Sequence, residues 1–346
     1  MISYTILAIF FGLWYFFTKK SSVSKGLKPL PSPPGRFFYG NYPFLFRINK
    51  FMFIFKYLNT TNFLGHYGLL GSKPSETLTK WAHELNSEIY SIRMGRSNYI
   101  ILNSDKIVEE LYQKKGKIYS SRQNSYNFQH ILGGVAISGC PYNDYYKKIK
   151  TIVGRLLTLQ KINMHSSLID RITNEGLSEI NHSEPINPCL YIRRITLNII
   201  LDITVGSYTT SINDPLFIRL NNWMDGFISI FSNVDRKLDY FPILKYIPGN
   251  KIKKGTKALR DETESLFGEF LENVKSGRNR NPCAMREIYE QGELGDHEII
   301  HNMAILTFAG TDTIASSIMW LLAHLANNPL LQEQAHKELN TFFPDH

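Results

Sequence analysis

The sequence has few cysteines, and none is placed for metal or disulfide chemistry. Cys140, Cys189 and Cys283 are the only three in 346 residues. They lie far apart, with no C-x-x-C pair and no Cys/His ligand cluster, which argues against zinc and against a disulfide framework and leaves three reduced thiols. Also missing is any dense Lys/Arg run interleaved with aromatics. The short patches Lys147, Lys148, Lys150 and Lys251, Lys253, Lys254 read as solvated helix faces, so no nucleic acid is expected as a partner. There is no internal repeat or low-complexity tract, and the composition is neither disordered nor collagen-like.

What is present can bury a large core: 43% of residues are hydrophobic and 13% aromatic, enough for one big domain or two ordinary ones. The net charge of +9 favours anionic lipid or an acidic protein surface as partner.

Residues 2–17, ISYTILAIFFGLWYFF, carry no charge and are followed by Lys19, Lys20, Lys25 and Lys28. A cleaved signal would put its positive charge before the apolar run and a small-residue site after it. The order here predicts a short membrane span over residues 1–20 that keeps the rest of the chain cytosolic, with an interfacial helix as the alternative. Residues 21–36 then form a basic, proline-rich hinge, because the closely spaced prolines of PLPSPPGR forbid a helix. The globular part is expected over 37–346. Within it, Gly40–Gly65 is rich in Phe, Asn, Ile and Lys without clear period. Gly40-Asn41 can encode a splice donor, Thr60-Thr61-Asn62 a branch point and Leu64-Gly65 an acceptor. Two readings stand: a retained intron whose removal joins Tyr39 through one Gly to His66, or an insertion lying on the membrane.

Helical spacing predicts a helix over 75–85, and 89–94 with 98–102 read as a hairpin around Gly95-Arg96. A helix is expected over 105–115 with Ser104 as its cap, then loop from 116 to 143. Further helices are expected over 145–158, 163–180, 189–205, 215–232, 253–275 and 296–327. The fold class is mainly α with a small β-sheet.

The last of these helices is the most informative. Its middle, MAILTFAGTDTIASSIMWLLAHL, is apolar around most of its circumference, as in a helix buried in a large domain. Gly310, Thr311, Asp312 and Thr313 interrupt that run. A Gly inside a helix costs about 1 kcal/mol, and a buried Asp needs a partner, so something should compensate both.

Ala309-Gly310-Thr311-Asp312-Thr313 resembles the oxygen-activation motif of the cytochromes P450, haem-thiolate monooxygenases. PYNDYYKKIKTIV (141–153), RRITLNIILDITVG (193–206), DYFPILKYIPG (239–249) and NNPLLQEQAHKEL (327–339) match the same family in order and at family-like distances, in its fungal microsomal form. The resemblance implies a cytochrome P450 fold behind a single transmembrane helix in the endoplasmic reticulum membrane. It also implies haem as cofactor, electrons from NADPH through a reductase, and a lipophilic small-molecule substrate. Ala309 and Gly310 would let haem and O₂ approach a helix that opens locally; Asp312 would relay protons, and Thr313 would hydrogen-bond the bound oxygen. Tyr146 and Lys150 would meet a haem propionate where the family has Trp and Arg, Lys lacking the guanidinium fork. DYFPILKYIPG would touch the bilayer, and 126–137 with 215–232 would line the pocket.

The family's cysteine loop, Phe-x-x-Gly-x-Arg-x-Cys-x-Gly, and its Glu-x-x-Arg pair are found nowhere in the sequence. The 37–346 segment is therefore expected to be an incomplete domain, without the haem-ligating Cys and inactive by itself. It is either part of a longer enzyme or a truncated, non-catalytic membrane-anchored product or pseudogene remnant.

Overall fold

A computed structural model describes residues 30–34, 65–95, 97–123, 125–180, 185–231 and 237–343. The expected anchor at 2–17, most of the proline hinge and residues 40–64 lie outside the described residues. The described chain divides into two compact units, residues 1–120 with 237–247, and residues 121–236 with 248–346.

In the first unit, helix α1 (Pro74–Glu84) starts on a proline at its first position, with Glu76 at the positive end of the dipole. Strands β1 (Ile89–Met94) and β2 (Ser97–Leu102) pair antiparallel, Met94 opposite Ser97, through a tight turn in which Gly95 has positive φ. Tyr90, Ile92 and Met94 alternate into a core with Trp81, Ala82, Tyr240 and Phe241. The described piece of the hinge, 30–34, is neither helix nor strand, as its prolines require. Its carbonyls are nonetheless used: Ser91 N donates to Pro31 O at 2.8 Å, and the buried His66 donates from Nε2 to Pro33 O at 2.7 Å. His66 Nδ1 accepts from Arg93 N at 2.9 Å, so both ring nitrogens of this unforeseen residue are satisfied.

The expected helix over 105–115 is broken in two, a short α segment at Asp105–Val108 and a π segment at Glu109–Lys114. Ser104 precedes it with extended backbone but makes no side-chain cap; Asp105 Oδ1 instead accepts from Lys106 N. The stretch expected as loop holds two short helices, Gly116–Tyr119 and Tyr126–Ile131.

The second unit is helical. It contains α2 (Asp144–Leu156), α3 (Ser166–Ser178), α4 (Pro188–Val205), α5 (Pro215–Phe231), α6 (Lys251–Lys275), α7 (Ala284–Gln291), α8 (Asp296–Ala326) and α9 (Pro329–Phe342). Three begin on asparagine caps: Asn143 accepts from Tyr146 N, Asn187 from Cys189 N and Asn250 from Ile252 N. Gly206, left-handed at φ 67°, closes α4. The helix expected over 163–180 starts later, at Ser166, behind a separate segment Leu159–Met164. Helix α7 was not foreseen, being too short to show a clear period.

Helix α8 packs most extensively against α4 and next against α6. Its first half is buried through Ile299, His301 to Ile305, Thr307 and Thr311, whereas Trp320, Leu321 and Leu322 near its end are exposed. Among the described residues it is the one helix long and apolar enough to cross a membrane by length and composition.

Candidate active site

The interrupted stretch of α8 stays helical throughout, so the expected local opening at Gly310–Thr313 is not observed. The helix is continued by back-bonds: Thr313 Oγ1 donates to Ala309 O at 2.7 Å and Ser317 Oγ to Thr313 O at 2.8 Å. Ala309 and Thr313, one turn apart, are both exposed, and Ile314, Ser316 and Ser317 extend that open strip.

Gly310 has a different surrounding from the expected one. A Cβ at this position would lie 2.9 Å from Ile200 Cδ1 and 3.0 Å from Ile200 Cγ1. The room made by its missing side chain is filled by α4, so the small-residue requirement on the open face rests on Ala309. The same close approach is seen one turn earlier, where Thr204 and Thr307 meet Oγ1 to Oγ1 at 3.0 Å in the buried seam.

Asp312 finds the partner its burial demands. Arg193 Nη2 of α4 is 3.7 Å from Asp312 Oδ1, with the two side chains 15% and 25% exposed. Arg193 Nη1 also donates to Asp225 Oδ1 at 2.7 Å and Asn221 Oδ1 at 2.8 Å on α5. One guanidinium thus holds carboxylates on two helices, which a charged side chain part-way out of water needs. Thr311 is fully buried with no hydrogen-bond partner for Oγ1 among the described residues.

Tyr146 and Lys150 share one face of α2, Tyr146 half-buried beside Tyr142 with ring centroids 5.5 Å apart, Lys150 exposed. Among the described residues Lys150 forms no ion pair, and neither residue is hydrogen-bonded to the 309–313 strip. The structure therefore unites Ala309, Gly310, Asp312 and Thr313 by helix periodicity and leaves Tyr146 and Lys150 as a separate polar pair.

Sequence reasoning missed Asn302. This buried side chain accepts from Ile137 N at 3.0 Å and donates to Val135 O at 3.2 Å and Glu298 O at 2.9 Å, pinning the 132–140 loop to α8. Its signal was available: an Asn in an otherwise apolar helix turn needs partners. Tyr145 OH donates to Val135 O at 2.9 Å, and burial, followed by the Glu298 charge, pushes its phenol far above the ordinary range.

The sequence profile described as Cytochrome P450 matches residues 57–346. The chain belongs to the cytochrome P450 family. A probable cytochrome P450 519E1 of Dictyostelium discoideum is 26% identical over 288 residues, covering 80% of this chain and 56% of that protein. The 3-hydroxyphenylacetate 6-hydroxylase of Emericella nidulans is 21% identical over 82% of this chain and 57% of its own length. The phenylacetate 2-hydroxylase of the same organism is 23% identical, with 80% and 56% covered. The chain spans about half the length of the curated relatives it matches.

For a cytochrome P450, the donor set can be tested against haem. Exposed Ala309 and Thr313 present a small-residue surface that suits a flat macrocycle, and Lys150, which forms no ion pair among the described residues, carries a charge that suits a carboxylate, though on a separate helix. The thiols do not fit an axial thiolate. Cys140 is buried, donates weakly to Ile137 O at 3.8 Å, and has its pKa raised by burial. Burial likewise raises Cys283, and Cys189 lies in the first turn of α4, the helix that covers the Gly310 side. A buried protonated thiol is a poor iron ligand.

Proposed function

We propose that this chain supplies the oxygen-activating part of a haem-dependent monooxygenase. The enzyme would insert one atom of O₂ into a lipophilic small molecule, with electrons from NADPH through a partner reductase. The observation that carries the reading is the open Ala309–Thr313 strip with Asp312 held beside it by Arg193, in a chain that matches the family over 57–346. Haem, when bound, supplies the oxidising chemistry; the residues supply shape and protons. Ala309 leaves a flat surface free of side chain. Thr313 has its proton committed to Ala309 O, so its oxygen lone pairs are outward acceptors, and it becomes a donor only by leaving that back-bond. Asp312 is the acid nearest this strip on α8, and Arg193 orients it. Tyr146 and Lys150 would meet a propionate, Lys150 as a point charge.

The 1–346 segment by itself would not ligate iron through a thiolate, given the surroundings of Cys140, Cys189 and Cys283, and would not oxygenate. In the reading as part of a longer enzyme, residues 2–17 tether it to the endoplasmic reticulum membrane with the catalytic part in the cytosol. Removal of residues 41–64 would leave a glycine before His66. That is the residue the site needs, since Gly65 has φ 59° and a Cβ there would strike the Arg93 carbonyl.

Thr313→Ala tests the role of the strip. In the haem-loaded, reductase-coupled protein that contains this segment, the substitution should leave haem content unchanged and raise severalfold the share of NADPH electrons recovered as peroxide. Unchanged coupling would remove Thr313 from proton handling.

A further inference from the structure

Two turns before the oxygen-activating strip, α8 presents His297 and His301, four residues apart and so on one face. Their ring centroids are 4.4 Å apart. Helix α6 brings Glu264 to the same place. One donor atom from each of Glu264, His297 and His301 can be chosen so that all lie within 4.8 Å of one another. The spacing of the cysteines pointed away from zinc, but this cluster contains no cysteine and joins two helices distant in sequence.

His301 gives the cluster its direction. Its side chain is fully buried. Nδ1 lies 2.9 Å from His297 O, a carbonyl that can only accept, so Nδ1 carries the proton and Nε2 a lone pair. That Nε2 has no hydrogen-bond partner among the described residues and lies 3.9 Å from Glu264 Oε1. A buried, unsatisfied acceptor aimed at a carboxylate is unfavourable unless a cation lies between them. The backbone carbonyl on Nδ1 is the kind of outer partner that orients ligand histidines.

His297 is exposed, but its ring is held against Gly133, where a side chain would collide with it. Arg260 Nε donates to Glu264 Oε1 at 2.8 Å, leaving Oε2 without a hydrogen bond among the described residues. Arg260 is the nearby positive charge that a metal ion would have to tolerate.

We propose that Glu264, His297 and His301 form a binding site for one first-row divalent ion of the zinc type, tying α6 to α8. Two imidazoles and one carboxylate suit zinc and its neighbours, whereas calcium and magnesium prefer sites built from oxygen alone. Metal–donor distances of about 2.0–2.2 Å place tetrahedral ligands about 3.4 Å apart. Glu264 and His297, which both reach solvent, close the remaining gap around the fixed His301. The site is about 12 Å along α8 from Ala309, by helix rise from His301, and is separate from the oxygen-activating strip.

The test uses Met1–His346 stripped with EDTA and freed of chelator. Titration with zinc chloride should show one saturable ion per chain that excess magnesium does not displace. Cobalt(II) in its place should give the visible bands of a low-coordinate nitrogen and oxygen site. His297→Ala, at an exposed position, should keep the circular dichroism of the metal-free protein while weakening zinc at least about tenfold, and Glu264→Gln should act in the same direction. His301→Ala risks the fold because the ring is buried, so the exposed variants decide. Absence of one-per-chain binding, displacement by magnesium, or an affinity that His297→Ala leaves within about twofold would overturn the site.

Discussion

Trp223→Ala should lower the stability of the helical unit by about 3–5 kcal/mol, the largest single effect expected in this chain. Trp223 on α5 is 2% exposed and sits among Phe227, Phe267 and Phe308 at centroid distances of 5.6, 5.2 and 6.3 Å. These rings come from α5, α6 and α8, so the indole binds three helices together. Its Nε1 donates to Thr263 Oγ1 at 2.9 Å, and Thr263 passes its own proton to Leu259 O at 2.7 Å. Truncation opens a large cavity and leaves the Thr263 hydroxyl without its donor, two costs in the same direction. Trp223→Phe keeps part of the ring packing and should lose about half as much. Urea unfolding followed by far-ultraviolet circular dichroism measures both. A loss below about 1 kcal/mol for the alanine variant would show that the aromatic cluster does not hold these helices.

Gly310→Val should cost about 2–3 kcal/mol in the natural background and much less in an Ile200→Ala background. Its Cβ would start 2.9 Å from Ile200 Cδ1, inside contact distance, and its two methyl groups would add to the conflict. Helix propensity alone would favour valine over glycine by a few tenths of a kcal/mol, so destabilisation must come from the seam with α4. Shortening Ile200 removes the obstacle, and the double-mutant cycle should give a coupling above about 1 kcal/mol. Equal costs in both backgrounds would mean that Gly310 is small for some reason other than α4. The cycle thus separates helix packing from approach to a cofactor, two explanations the bare motif cannot distinguish.

That distinction shows where sequence reading runs out. Helix α8, apolar around most of its circumference and so expected to be buried, is buried only over its first half, whereas the alternation of Tyr90, Ile92 and Met94 and the turn at Gly95 are local signals that the structure follows closely. So are the starts and ends of α4, α5 and α6, because caps and breakers act within a few residues. Asp312 was legible as a residue in need of a partner, but the partner was not: Arg193 belongs to another helix with its own period. Gly310 was legible as small, and the side on which it needed to be small was not. Helix 105–115 failed differently, because the change from α to π at Glu109 leaves the hydrophobic spacing nearly intact. Asn302 and the Glu264–His297–His301 cluster were overlooked because polar residues in apolar helices explain themselves only through what they face across the interior. The expected anchor at 2–17 and the segment 40–64 lie outside the described residues.

The measurement closest to the central claim is the reduced, carbon monoxide-bound spectrum of Met1–His346 reconstituted with haem. Under the proposed function, this chain would carry the oxygen-activating strip of a cytochrome P450 but no thiol able to ligate the iron. The predicted result is a spectrum without the red-shifted Soret band that thiolate ligation gives, and with the same trace after Cys140→Ser, Cys189→Ser or Cys283→Ser. A red-shifted band that disappears with any one of those substitutions would identify that cysteine as the ligand and contradict the claim.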